Sequence, residues 1–199
     1  MRLGVLGGTF DPVHLGHLGA AQAALECAGL DRVLFMPSAH PPHRAGAVAD
    51  AEERLAMCRL AVVGAPQFEV SDIEIARGGR SYTVDTLAEL RSREPDAEMF
   101  LILGWDAARL FHTWREPSRV RELASIIVVS RPGGETPEAG RLADAGLGGP
   151  GVVLCLRATP DISASRIRKA IAQGQPVQGM VPGSVASFIA GHGLYGDNR

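Results

Sequence analysis

Two histidines three residues apart, His14 and His17, follow a pair of glycines in the run Gly7-Gly8-Thr9-Phe10-Asp11-Pro12-Val13-His14-Leu15-Gly16-His17. Adjacent glycines let a backbone turn sharply and approach a ligand with no Cβ in the way. A helix starting at Leu15 would offer its first amides to an anion. Residues three apart on a helix share a face, so both imidazoles can act on one phosphate. Gly16 between them leaves room for a flat or bulky group. The run lacks the G-K-[ST] of a phosphate loop and is not G-x-G-x-x-G. Read by itself, it also fits a tight turn with incidental histidines. A histidine pair without a nearby third ligand is weak evidence for a metal site.

A second chemical segment is Asp161-Ile162-Ser163-Ala164-Ser165-Arg166-Ile167-Arg168. Ser163 suits a helix N-cap, and Ser165 and Arg168 then face one way. A hydroxyl, first-turn amides and a guanidinium together form a phosphate clamp; a capped helix with solvated arginines is the simpler alternative. Three further segments carry polar or aromatic groups between apolar runs. Pro41-Pro42-His43-Arg44 is a proline-stiffened loop with a cation at its tip. Gly104-Trp105-Asp106 precedes Phe111-His112-Thr113-Trp114. Ser81-Tyr82-Thr83-Val84-Asp85-Thr86-Leu87 opens a helix with an acidic first turn.

Together these segments resemble the bacterial nicotinate mononucleotide adenylyltransferases of the H-x-G-H nucleotidyltransferase superfamily. The histidine run has the form GGTFDPVHLGH, and ISASRIR is similar to the family's I-S-[SA]-[ST]-x-I-R. Arg44 stands where the family usually has the lysine of PPHK. Asp106 and Trp114 fit a G-x-D followed by a tryptophan, although Trp105 departs from the commoner small or amide residue. The resemblance covers nearly the whole chain, in order. It implies Mg²⁺ with ATP, nicotinate mononucleotide as acceptor, and nicotinate adenine dinucleotide and pyrophosphate as products. It assigns Gly8, Thr9, Phe10, His14, His17, Arg44, Asp106, Ser163, Ser165 and Arg168 to ATP. Gly7, Thr83 and Trp114 go to the mononucleotide: Trp114 to stack on the pyridine, Thr83 to open a helix whose amides meet the carboxylate. No protein metal ligand is assigned.

The chemistry follows from the substrates. The mononucleotide phosphate is already a nucleophile, so the protein must align two anions and spread the charge that builds on the α-phosphoryl group. His14, His17 and Arg168 are the expected catalytic groups. A helix N-terminus disfavours an imidazolium at His17 and a bound phosphate favours it; either form donates a hydrogen bond. Rival acceptors are nicotinamide mononucleotide and phosphopantetheine, although enzymes acting on the latter usually carry T-x-G-H, and His14 argues against it. A rival of another class is a non-catalytic nucleotide-binding regulator.

The elements that would position these groups alternate along the chain. Strands are expected at residues 2–7, 32–37, 68–75, 99–103, 126–129 and 152–156, and helices at 15–28, 51–63, 83–93, 163–172 and 182–190. MFLIL and IIVV carry no polar alternation, which suits strands covered on both faces. The expected fold is α/β: a Rossmann-like, doubly wound parallel sheet with helices on both faces. In such a sheet, ligands sit beyond the carboxyl ends of the strands. Residues 38–50 and 131–151 read as loops.

The 199 residues suit one domain, or one with a small appendage. The expectation is a single nucleotidyltransferase domain over 1–199, whose C-terminal helices, about 161–195, close the ATP site. Apolar residues make up 46%, enough for a core. The net charge of −2 carries no basic footprint for nucleic acid. No apolar run is long enough for a membrane span, and the chain opens as a strand rather than a leader. Cys27, Cys58 and Cys155 share no C-x-x-C spacing and read as buried free thiols, which points to a reducing, cytoplasmic compartment.

Overall fold

The computed structural model describes residues 1–40, 47–130, 139–157 and 159–196. Six parallel strands form one sheet in the order β3-β2-β1-β4-β5-β6. They are β1 (Arg2–Gly8), β2 (Arg32–Pro37), β3 (Phe68–Val70), β4 (Glu98–Gly104), β5 (Ser125–Val129) and β6 (Val152–Cys155). This is the expected doubly wound α/β arrangement, and the strand order reverses direction between β1 and β4.

Side chains on each central strand alternate between two buried layers. Val33 and Phe35 of β2, Phe100 and Ile102 of β4, and Ile127 and Val129 of β5 enter one layer. Leu34 and Met36, Leu101 and Leu103, and Ile126 and Val128 enter the other. This two-sided burial explains the unbroken apolar runs. The first layer is covered by α1 (Leu15–Ala28), α2 (Ala51–Ala61), α8 (Ala164–Ala172) and α9 (Gly183–Gly191). The second is covered by α3 (Ile73–Arg77), α4 (Thr83–Arg93), α5 (Trp105–Ala108), α6 (Pro117–Leu123) and α7 (Ala139–Asp144). Among the described residues, no helix is long and apolar enough to cross a membrane.

Three expectations are corrected. Residues 68–75 are not one strand: β3 ends at Val70 and α3 begins at Ile73. The amides of Ala76 and Gly78 donate to the carbonyls of Asp72 and Glu74, four residues back, which is the ladder of a helix and not of a strand. Residues 131–151 contain α7, held by Ala145 and Leu147 tucked into the second layer, a contact the density of glycines obscures. Finally, Cys27 and Cys155 are joined as a disulfide across 128 residues, so two of the three expected free thiols are not free. The last turn of α1 lies against the end of β6, a proximity that spacing along the chain does not reveal. Cys58 is the buried thiol that was expected, and burial pushes it up to about 12.

Candidate active site

The sheet opens where its order reverses. Pairing between β1 and β4 runs from Arg2 with Glu98 to Val5 with Leu101 and then stops. Beyond that point β1 continues along β2 through Gly8, and β4 continues along β5 through Gly104. The two strand ends thus separate into a crevice. Gly7 and Gly104, both exposed, stand on either side of it, and a Cβ built on either meets nothing within 4 Å. Exposed glycines on central strands make sense where a ligand approaches the backbone. Gly7→Ala is therefore expected to leave Tm within about 2 °C of the parent. At the mononucleotide, where the resemblance assigns Gly7, the added methyl is expected to raise KM about tenfold, as it does in a fitted pocket. Thermal unfolding and initial rates on each substrate check both halves of this expectation.

Past Gly8 the chain makes the turn that sets the histidines. Phe10 takes a left-handed backbone conformation (φ 49°), and its ring is buried under Gly8 and His17. A Cβ on Gly8 would sit 3.1 Å from Phe10 Cζ and press on that ring. Phe10 meets the His17 ring edge-on at 4.9 Å, and the His14 and His17 rings stack at 3.7 Å. His14 is the N-cap of α1 and is buried; its amide donates to His17 Nδ1 at 3.3 Å. That contact is a capping box with histidine in the usual Glu/Gln place. With Nδ1 accepting there, Nε2 is the ring nitrogen left to donate to a ligand.

The second candidate segment, residues 161–168, is brought to the same loop. Ser163 caps α8, accepting from the Arg166 amide at 3.4 Å, and its hydroxyl lies 3.3 Å from that of Ser165. Arg168 Nη1 donates to the Asp11 carbonyl at 2.7 Å, across 157 residues. Just before α8, Pro160 lies over the first turns of α1: Cβ atoms on Gly16 and Gly19 would come within 3.2 Å of Pro160 O and 2.6 Å of Pro160 Cδ. Gly16 thus makes room for the chain itself, beside the His14 ring. Met180 O accepts from the Leu15 amide at 2.9 Å, adding a further C-terminal contact at the start of α1.

Of the predicted mononucleotide groups, Gly7 stands at the opening, while Trp114 packs against the second layer and Thr83 starts α4, which covers it. Trp114 is half-buried, with its ring 5.5 Å from Phe111. Trp105 also packs into this layer, which gives it a core role. Asp106 is exposed in α5, directly past the end of β4. Thr83 is the first residue of α4. Most of its neighbours have structural work: Ser81 Oγ accepts from the Ala39 amide at 3.0 Å, and the Thr86 hydroxyl donates to the buried Glu74 at 2.7 Å. Burial pushes the Glu74 carboxyl above its ordinary value, while hydrogen bonds from Thr86 and Ser81 hold it down. Arg115 lies over the Tyr82 ring at 4.8 Å and pairs with Asp85. Thr9 lies in the loop after β1. Arg44 falls outside the described residues. Among the described residues, no three or more His, Cys, Asp or Glu side chains are grouped to hold a metal ion.

Sequence reasoning missed the groups that hold this loop from behind. Arg54 is buried within α2, and its guanidinium donates to four carbonyls: Thr9 (2.8 Å), Ser38 (2.7 Å), Ala39 (3.2 Å) and Ala49 (3.2 Å). Burial lowers its pKa, against the pull of the Asp11 carboxylate. Asp11 is itself buried and accepts from the amides of Val48 and Ala49 and the hydroxyl of Tyr195. The one available signal was an arginine among apolar residues in RLAMCRLA, which binary patterning assigns to the solvent face.

Residues 5–170 match the cytidylyltransferase-like family model. A Thermus thermophilus protein named "Probable nicotinate-nucleotide adenylyltransferase" is 46% identical over 195 residues, covering 98% of this chain and 100% of its own length. A Symbiobacterium thermophilum protein of the same name is 42% identical over 197 residues, covering 98% and 95%. Among solved structures, Plasmodium falciparum nicotinic acid mononucleotide adenylyltransferase complexed with NaAD superposes with a TM-score of 0.80. It is 16% identical, and the match covers 98% of this chain and 97% of that one, a likeness of fold. With a reversed parallel sheet, a histidine loop at its opening and relatives matched end to end, the chain belongs to the nicotinate-nucleotide adenylyltransferase family.

Proposed function

We propose that the protein transfers AMP from ATP to nicotinate mononucleotide, forming nicotinate adenine dinucleotide and pyrophosphate as a step of NAD biosynthesis. The acceptor class comes from the names of its relatives. The observation that carries the site is the Arg168–Asp11 bond, which supports drawing ISASRIR and GGTFDPVHLGH into one polyphosphate site.

In this reaction a phosphate oxygen of the mononucleotide attacks the α-phosphorus of ATP, and the bond from that phosphorus to the bridging oxygen of pyrophosphate breaks. No proton need leave the nucleophile, so no general base is required. His17 donates from Nε2 to the phosphoryl oxygens as charge builds there, His14 supports the same face, and Arg168 attracts the leaving pyrophosphate. Gly8, Thr9 and Phe10 shape the loop beneath the triphosphate, Ser163 and Ser165 add donors at the start of α8, and Arg44 adds a cation. Mg²⁺ would enter with ATP as part of the substrate and offset phosphate charge, and Asp106 would suit its hydration shell.

Gly7, Thr83 and Trp114 serve the mononucleotide on the other side of the opening. Stacking is sequence-tolerant but geometry-dependent. Trp114→Ala is expected to raise KM for the mononucleotide about tenfold while KM for ATP stays within about twofold. Equal rises on both substrates would count against stacking.

The whole chain works as one nucleotidyltransferase domain, with the C-terminal helices closing the ATP side. A cytoplasmic location is supported by ATP as co-substrate rather than by the cysteines. The deciding experiment supplies ATP with nicotinate or nicotinamide mononucleotide, follows pyrophosphate and identifies the dinucleotide. Preferred turnover of the acid form is the expected result. Preference for the amide would change the acceptor, and binding without pyrophosphate release would make the protein a regulator.

A further inference from the structure

Asp11 holds an unusual position. The residue is 5% exposed, and such a buried charge must be compensated by donors or cations. Oδ2 accepts from the Val48 amide at 2.8 Å; Oδ1 accepts from the Ala49 amide at 3.1 Å and the Tyr195 hydroxyl at 2.7 Å. All three donors are neutral, so none cancels the charge. Among the described residues, two cations act on it: Arg54, sealed against backbone carbonyls, and Arg168, whose Nη1 lies 3.9 Å from Oδ2.

The Arg168 contact has a telling form. Its hydrogen bond goes to the Asp11 carbonyl rather than to the carboxylate. A bidentate pair with the carboxylate would occupy the planar fork that recognises phosphate. Instead the carboxylate attracts the guanidinium from beyond hydrogen-bond range, and one of its five N–H donors anchors on the backbone.

Tyr195 supplies an independent sign. It is buried near the end of the described chain and adopts a left-handed backbone (φ 65°), rare for a residue with a large side chain. Burial and the bond to Asp11 both raise its pKa, so the phenol stays a donor. The C-terminal turn is thereby tied to a residue 184 positions earlier.

We propose that Asp11 is a positioning residue for Arg168: anchored by Val48, Ala49 and Tyr195, it aims the guanidinium at the polyphosphate without capturing it. The proposal rests on the assignment of Arg168 to ATP, and the test separates the two.

Kinetics for both substrates are measured on the parent, Asp11→Asn, Arg168→Gln and the double variant, with folding checked by circular dichroism and Tm. Asp11→Asn is expected to lower kcat/KM for ATP about tenfold while KM for the mononucleotide moves less than about twofold. In the Arg168→Gln background, the same change should have an effect below about twofold, because its target is gone. Losses that multiply in the double variant, or equal KM rises on both substrates, would overturn the proposal as a purely structural role. Parent-like ATP kinetics in Arg168→Gln would overturn the Arg168 assignment itself, and the proposal with it. If Asp11→Asn does not fold, Tyr195→Phe carries the test, since it keeps the ring and removes only one donor. Its loss in kcat/KM for ATP is expected to be about threefold and to vanish in the Arg168→Gln background. A loss equal in both backgrounds, or none in either, would overturn the proposal.

Discussion

His17→Ala should lower kcat by about 10²-fold or more, the usual effect of removing a donor aimed at charge that develops in the transition state. KM for either substrate should change much less, because the donor acts where negative charge grows rather than where it already rests. The structure adds a complication and its control. His17 Nδ1 accepts the amide of His14, so the alanine variant also loses a helix cap worth about 1 kcal/mol. His17→Gln keeps an acceptor suited to that capping position and lacks the imidazole. Turnover should therefore collapse in both variants while stability falls only in the alanine. Steady-state kinetics paired with thermal unfolding reads the two effects separately. Near-parent turnover in a folded glutamine variant would remove His17 from the chemistry.

The largest effect on stability is expected at Arg54. Arg54→Leu keeps bulk in the core but leaves the carbonyls of Thr9, Ser38, Ala39 and Ala49 without their cationic donor. It also leaves the Asp11 charge buried with less compensation. Removing one partner from a buried polar network destabilises by about 3–5 kcal/mol. For a chain of this size that is a fall in Tm of roughly 6–20 °C. Arg54→Lys should recover only part, since one ammonium cannot span four carbonyls that a planar fork reaches together. Denaturant unfolding of both variants checks the ranking; a loss below about 1 kcal/mol in the leucine variant would mean that those carbonyls find other partners.

These two positions were not equally visible before the structure. His17 stood out because a local pattern carried it: glycines, a helix start and a partner three residues away. Helix α8 and its Ser163 cap were legible for the same reason, as were the apolar strands, whose two-sided burial erases polar alternation. Helix α7 was hidden because its glycine-rich surroundings mask the few apolar residues that anchor it. The short edge strand β3 was overextended, because Val70, Ile73 and Ile75 mimic alternation across a strand end and a helix start. The free-thiol expectation failed for Cys27 and Cys155, whose meeting depends on how α1 lies along β6.

What the amino-acid order alone determined is what neighbours along the chain can enforce: the alternation of strands and helices, the parallel sheet covered on both faces, and which groups are candidates for phosphate. Only the tertiary structure decided how these groups are held. Asp11 draws on Val48, Ala49, Arg168 and Tyr195 from 37 to 184 residues away. A buried charge finds its partners by packing, not by spacing, and a carboxylate with no periodic signature reads as one more loop residue until the chain is folded around it.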